Sequence, residues 1–257
     1  MILEERCRRQ WQGIVLRTHR IHTAQALEPE ADVVIGGKSA HYLARVLRVK
    51  AGQPLVLFNG DGHDYAAEVS RPEKGEIHIK VLSRLPSVAE SSLRIILAQA
   101  ISRGERMDLT LQKCTELGVA AFQPLTTERV EVRIRPEKLP QRMDHWRQVV
   151  VSACEQSGRS VIPAVKEPLH LHEWLGQRDV SQRLVLVPDA ETPLARFELE
   201  NTVEILIGPE GGLSDTELGL IERSGVRPTS LGPRVLRTET AGPAAVAVLQ
   251  TLYGDFR

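Results

Sequence analysis

The stretch V-E-I-L-I-G-P-E-G-G-L-S-D-T-E, residues 203–217, decides the fold. Val203, Ile205, Leu206 and Ile207 form the short, largely β-branched run of a strand buried on both faces. It stops at Gly208-Pro209, because proline offers no N–H to a ladder. Gly211-Gly212 tolerates positive φ and lets backbone come close to a ligand. Ser214 and Glu217 stand at capping-box spacing, so a helix starts there. Strand, glycine loop and helix N-terminus together are how α/β folds hold nucleotide-like ligands at the carboxyl end of a sheet. The loop is neither G-x-G-x-x-G nor a P-loop, since no Lys-Ser/Thr pair follows the glycines. A plain turn accounts for the glycines equally well. Glu210 shifts the balance, because a carboxylate among glycine N–H groups repels phosphate and suits hydroxyls or a cation. The loop reads as a seat for a nucleoside rather than a triphosphate.

The whole chain has 257 residues, 42% hydrophobic and 26% charged, with formal net charge +0. That is the composition of a globular protein with room for one large domain or two modest ones. Neutrality excludes a uniformly basic surface, so any nucleic-acid contact must come from local patches. Cys7, Cys114 and Cys154 lack C-x-x-C spacing, which argues against a zinc site or a disulfide framework and for a reducing cytosol. No apolar run is long enough to span a bilayer, and the N-terminus lacks the core of a signal peptide. His170-x-His172 has no companion ligands at metal-site spacing, no G-x-S-x-G elbow occurs, and the expected metal content is none.

Residues 1–16 are charged, weakly patterned and expected to be an extension. From Arg17 the chain is basic, with Arg17, Arg20, Lys38, Arg45, Arg48 and Lys50 outweighing Glu28, Glu30 and Asp32. Residues 39–50 predict a helix with Leu43, Val46, Leu47 and Val49 apolar and Arg45 and Arg48 on another face. A solvated face and a phosphate-contact face are both open there. Residues 54–58 and 64–69 are strands about the turn N-G-D-G, and a third runs through Ile77, Ile79 and Val81, which suggests a small barrel. Residues 85–92 are the linker candidate. Beyond it strands and helices alternate, as in a parallel sheet: strands at 93–100, 119–124 and 184–187, a helix carrying Met107, Leu111, Cys114 and Leu117 and ending at Gly118, another at 140–157, and a short strand ending at Leu231-Gly232. The closing helix is expected over 240–253, with Pro243 tolerable only near its first turn. Glu155, Gln156 and Arg159 would then be a solvated helix terminus.

Four segments carry more than their parts: G-E-R-M-D-L-T-L-Q-K-C-T-E-L-G-V (104–119), E-Q-S-G-R (155–159), I-G-P-E-G-G-L-S-D-T-E (207–217) and L-G-P-R-V-L-R-T-E-T-A (231–241). In this order they resemble the bacterial ribosomal RNA uridine-N3 methyltransferases of the SPOUT superfamily, and H-Y-L-A-R-V-L-R-V-K with F-N-G-D-G resembles that family's PUA-like barrel. The resemblance implies an α/β fold: a PUA-like RNA-binding domain over 17–88, then a SPOUT methyltransferase domain over 89–257 with a C-terminal trefoil knot. It also implies a cytoplasmic homodimer using S-adenosyl-L-methionine on small-subunit ribosomal RNA in assembled particles, without metal or membrane. The cofactor would lie among Leu186, Val187 and Pro188; Ile207, Gly208, Pro209, Glu210 and Gly211; and Leu231, Gly232, Leu236, Arg237, Thr238, Glu239 and Ala241. Where the family often carries Pro-Lys, this chain has Ser102-Arg103.

Methylating a ring nitrogen between two carbonyls needs proton removal and stabilisation of the resulting anion. Arg103, Arg159 and Arg237 are the candidate donors and Glu155 the candidate proton acceptor. Arg17, Arg20, Arg45, Arg48 and Lys50 are the candidate RNA contacts. Action on transfer RNA or a ribose hydroxyl, and a non-catalytic RNA-binding protein, are the competing readings.

Overall fold

The computed structural model describes residues 18–132, 134–177 and 182–256, so the extension at 1–16 and Arg17 lie outside the described residues. The chain divides into two compact units, one running through Ala89 and including Cys154–Val161, the other made of Glu90–Ala153 and Ile162–Arg257.

In the smaller unit, five strands run in the order β1-β3-β4-β5-β2: β1 Arg20–His22, β2 Asp32–Ile35, β3 Pro54–Phe58, β4 Asp64–Pro72 and β5 Ile77–Leu85. The N-G-D-G turn joins β3 to β4, antiparallel with Leu57 opposite Tyr65. β1 and β2 carry too few alternating residues to be read from the sequence. Leu43, Leu55, Leu57, Ile77, Ile79 and Val81 fill the core. The helix expected over 39–50 is a short α1, Gly37–His41, that widens into a π-helical turn at Tyr42–Leu47 and stops at Arg48, φ +50°. Widening the turn takes Val46 off the apolar face, and it is 63% exposed.

In the larger unit all strand pairs are parallel, in the order β12-β10-β11-β6-β7-β8: β6 Arg94–Ala100, β7 Ala121–Thr126, β8 Ala164–Val165, β10 Arg183–Leu186, β11 Thr202–Ile207 and β12 Arg227–Thr229, with β9 Leu169–His170 also on β7. β7 starts two residues later than expected because the Val119 N–H still closes the preceding helix, α2 (Glu105–Glu116), on the Cys114 carbonyl. α3, Leu139–Ser157, buries Met143, Trp146, Val150 and Ala153 as its spacing required. Leu171–Gly176 (α4) and Asp215–Arg223 (α5) follow. The closing helix α6 spans Thr238–Tyr253, so Pro243 lies inside it rather than in its first turn. Its missing N–H withdraws the helical donor from the Glu239 carbonyl. Gly242 beside it is closely packed: a Cβ there would lie 3.3 Å from Thr110 Cγ2 and 3.4 Å from Gln99 Oε1.

The focal strand hides a charge that its apolar neighbours mask in the sequence. Glu204, 2% exposed in the middle of β11, is paired by Arg183 Nε at 2.9 Å. The same guanidinium donates to the Trp174 carbonyl at 3.1 Å and lies 4.7 Å over the Trp174 ring. Removing one partner of a buried pair strands the other's charge. Arg183→Met is expected to cost about 3–5 kcal/mol in urea unfolding, and Arg183→Met with Glu204→Met to recover most of it.

Candidate functional site

β10, β11 and β12 are adjacent and parallel, so the turns leaving their carboxyl ends open on the same edge of the sheet. They enclose a cavity of about 560 Å³. Leu186, Val187 and Pro188 line it after β10; Ile207, Gly208, Pro209 and Glu210 after β11; Leu231, Gly232, Leu236, Arg237, Thr238, Glu239 and Ala241 between β12 and α6. Gly232 needs glycine because its φ is +86°. Gly211 is not on the lining. A Cβ at that position would lie 3.2 Å from the Cβ of Arg129.

The glycine turn is held from outside. The Thr238 hydroxyl donates to the Gly208 carbonyl at 2.9 Å and accepts from Gln99 Nε2 at 2.9 Å. Arg129 Nη1 donates to the Gly211 and Leu213 carbonyls at 3.1 and 3.3 Å. The capping box forms as the spacing required, with the Glu217 N–H on Ser214 Oγ and the Ser214 N–H on Glu217 Oε2. The second oxygen of Glu217 accepts the Glu128 N–H at 2.8 Å, which ties the loop after β7 to the same turn.

Charge gathers at one end of the cavity. Arg106 Nη1 lies 2.9 Å from Glu210 Oε1, and its Nε lies 3.9 Å from Glu239 Oε1. The Arg103 N–H also reaches Glu210, at 3.4 Å. Burial pushes the Glu210 carboxyl up, but the Arg106 hydrogen bond and the N–H donors outweigh it and hold the group below the usual carboxylate value. Glu239 keeps Oε2 buried with no hydrogen-bond partner. Arg106, Leu213 and Leu218 line the cavity without having been singled out from the sequence. The available signal for Arg106 was a cation in the first turn of a helix, where the macrodipole disfavours it.

The catalytic candidates divide between the units. Arg237 lines the cavity with its side chain 82% exposed, and exposed Arg103 precedes α2. Glu155 and Arg159 belong to the smaller unit. There Glu155 Oε1 accepts the His22 N–H at 3.0 Å, and the carbonyl of buried Arg159 accepts from Arg20 Nη2 at 3.1 Å, so this stretch is not the solvated terminus its sequence suggested. Burial raises the Glu155 carboxyl, against the opposing pull of the His22 N–H and Arg20. Arg45, Arg48 and Lys50 are exposed. Arg20 is not: it pairs with Asp64, both side chains 8% exposed, and its guanidinium lies over the Phe58 ring. A role for Arg20 in phosphate contact is therefore corrected to a structural one. Among the described residues, Cys114 and Cys154 are buried, and no helix is long and apolar enough to cross a membrane.

Two family models match the chain, an RNA methyltransferase domain over residues 89–250 and an RNA methyltransferase PUA domain over 35–82. The ribosomal RNA small subunit methyltransferase E of Buchnera aphidicola subsp. Schizaphis graminum is 34% identical over 93% of this chain and 98% of its own. Among solved structures, the ribosomal RNA small subunit methyltransferase E of Neisseria gonorrhoeae bound to S-adenosyl methionine is 35% identical, with a TM-score of 0.87, covering 93% of this chain and 100% of that one. A Legionella pneumophila protein in complex with bound SAM is 40% identical, with a TM-score of 0.90 and the same coverage.

Replacing Thr238 by Val keeps the shape and deletes the donor that anchors the Gly208 carbonyl. Stability is expected to fall by about 1–3 kcal/mol in urea unfolding, with faster amide exchange confined to residues 208–212.

Proposed function

The chain belongs to the RNA methyltransferase family that includes the ribosomal RNA small subunit methyltransferases E, and we propose that it methylates N3 of a uridine in small-subunit ribosomal RNA. It is an enzyme of the S-adenosylmethionine-dependent kind, with a SPOUT-type catalytic domain and a PUA-like domain. The observation that carries the reading is the convergence of three neighbouring strand ends on one cavity with apolar walls and two carboxylates. Its volume lies in the range of small-molecule sites. Leu186, Val187, Leu231 and Leu236 offer apolar surface to a purine. The partnerless Glu239 oxygen calls for a donor-bearing cationic group. The residues present therefore fit S-adenosylmethionine, which when bound supplies a methyl group already activated for displacement.

What remains for the protein is to orient the base, accept its proton and stabilise the anion. Arg103 and Arg237 are assigned as donors to the uridine carbonyl oxygens, and Arg159 as a third cation of the same machinery. Glu155 is assigned as proton acceptor, supported by the burial that raises its carboxyl and so strengthens it as a base. The exposed cations Arg45, Arg48 and Lys50 are assigned to phosphate contacts around an unstacked target nucleotide. From the four-segment resemblance we also assign a trefoil knot, a homodimer and a cytoplasmic location, where small subunits are assembled. Light scattering at the mass of a single chain would remove the dimer.

Incubation with labelled S-adenosylmethionine and unmodified small subunits, followed by nucleoside analysis, is expected to yield 3-methyluridine. Label on a ribose, or only on added transfer RNA, would overturn the reading. Glu155→Gln is expected to lower turnover by about 10²–10⁴-fold with cofactor affinity retained. In the parent enzyme the rate should rise with pH as the carboxyl loses its proton, above the ordinary carboxylate value, and that acid limb should vanish in the variant. Charge reversal at Arg45 and Arg48 together should weaken RNA binding and flatten its dependence on log salt by about 0.7–0.9 for each phosphate no longer neutralised, without changing cofactor affinity.

A further inference from the structure

The charged end of the cavity is more specific than an adenosine requires. Arg106 touches Glu210 through one nitrogen of its guanidinium and lies near Glu239 through another, yet its side chain is 46% exposed. Part of its five-donor fork is therefore open to a ligand. Glu239 is 14% exposed and carries a buried oxygen that no donor satisfies. A buried acceptor left without a donor is costly, and a donor-bearing group entering this corner would offset that cost. An open guanidinium beside a carboxylate that keeps one oxygen without a donor is complementary to a zwitterion. The planar fork takes a carboxylate through paired N–H bonds, and the carboxylate takes an ammonium. An α-amino acid presents both groups on one carbon.

We propose that Arg106 and Glu239 read the amino-acid tail of the methyl donor, with Arg106 holding its α-carboxylate and Glu239 its α-ammonium. The inference rests on the cofactor reading above. Glu210 has a positioning role: its 2.9 Å bond to Nη1 holds the guanidinium at the cavity. The helix start fits the same picture. A cation in the first turn of α2 is disfavoured by the macrodipole, and Glu210 on one side and a ligand carboxylate on the other would offset that. Recognition of the tail separates the intact donor from nucleosides that share its adenosine and sulfur but lack the zwitterion.

The test is calorimetric titration of the full chain with S-adenosylhomocysteine and with methylthioadenosine, which has no amino-acid tail. The parent protein is expected to favour S-adenosylhomocysteine. Arg106→Ala should lose about 10- to 100-fold in affinity for it while methylthioadenosine affinity stays within about 3-fold, and Arg106→Lys should recover part of the loss because it keeps the charge without the fork. Glu239→Gln should show the same selective loss. Retained methylthioadenosine binding establishes that each variant is folded. Equal losses for both ligands, or no loss for either, would overturn the assignment. A parent protein that binds neither ligand would instead sink the cofactor reading itself.

Discussion

Gly208 and Gly211 bring no side chains with which to hold the turn between β11 and α5, and the Thr238 hydroxyl supplies an anchor from another element. It donates to the Gly208 carbonyl and is itself fixed by Gln99 on β6. The start of α6, the end of β11 and the middle of the sheet thus share one hydrogen-bonded chain, buried where each bond counts for most. Arg129 and Glu217 fasten the far side of the same turn. Glycine lets the backbone approach whatever fills the cavity, and the surrounding polar groups remove the freedom that glycine would otherwise bring.

Electrostatics divides into charges that build the fold and charges left for chemistry. Arg183 with Glu204, and Arg20 with Asp64, are ion pairs between side chains less than a tenth exposed. Arg106, Glu210 and Glu239 are different: they sit at a cavity wall, partly open, with one carboxylate oxygen unsatisfied. Pairs of the first kind are sensitive to removal of one member and tolerant of replacement of both. Groups of the second kind are poised for a ligand. The same division runs through the cations of the smaller unit: Arg45, Arg48 and Lys50 stay exposed while the Arg20 side chain is paired with Asp64.

Local signals placed most of the elements. The capping box at Ser214 and Glu217, the N-G-D-G hairpin and the spacing of Met143, Trp146, Val150 and Ala153 all describe interactions within a few residues, which sequence states directly. The errors fell where a tertiary contact overrides a local preference. Pro243 sits inside α6, beside a Gly242 packed closely on Thr110 and Gln99. Val46 faces out because α1 widens into a π-helical turn.

The sequence by itself determined the parallel α/β pattern and the glycine turn after β11, because strand ends and turn residues are properties of consecutive positions, whereas the three stretches that line the cavity followed only from the resemblance of four separate segments to a family. Only tertiary structure decided what the charges do. Arg20 and Arg45 are alike on paper, yet one is buried against Asp64 and the other exposed. Arg106 carries no local mark that it meets Glu210, which lies 104 positions further along the chain and 2.9 Å away in space. A side chain's burial and partners depend on which distant strands and helices the fold brings beside it, and no window of neighbouring residues contains that information.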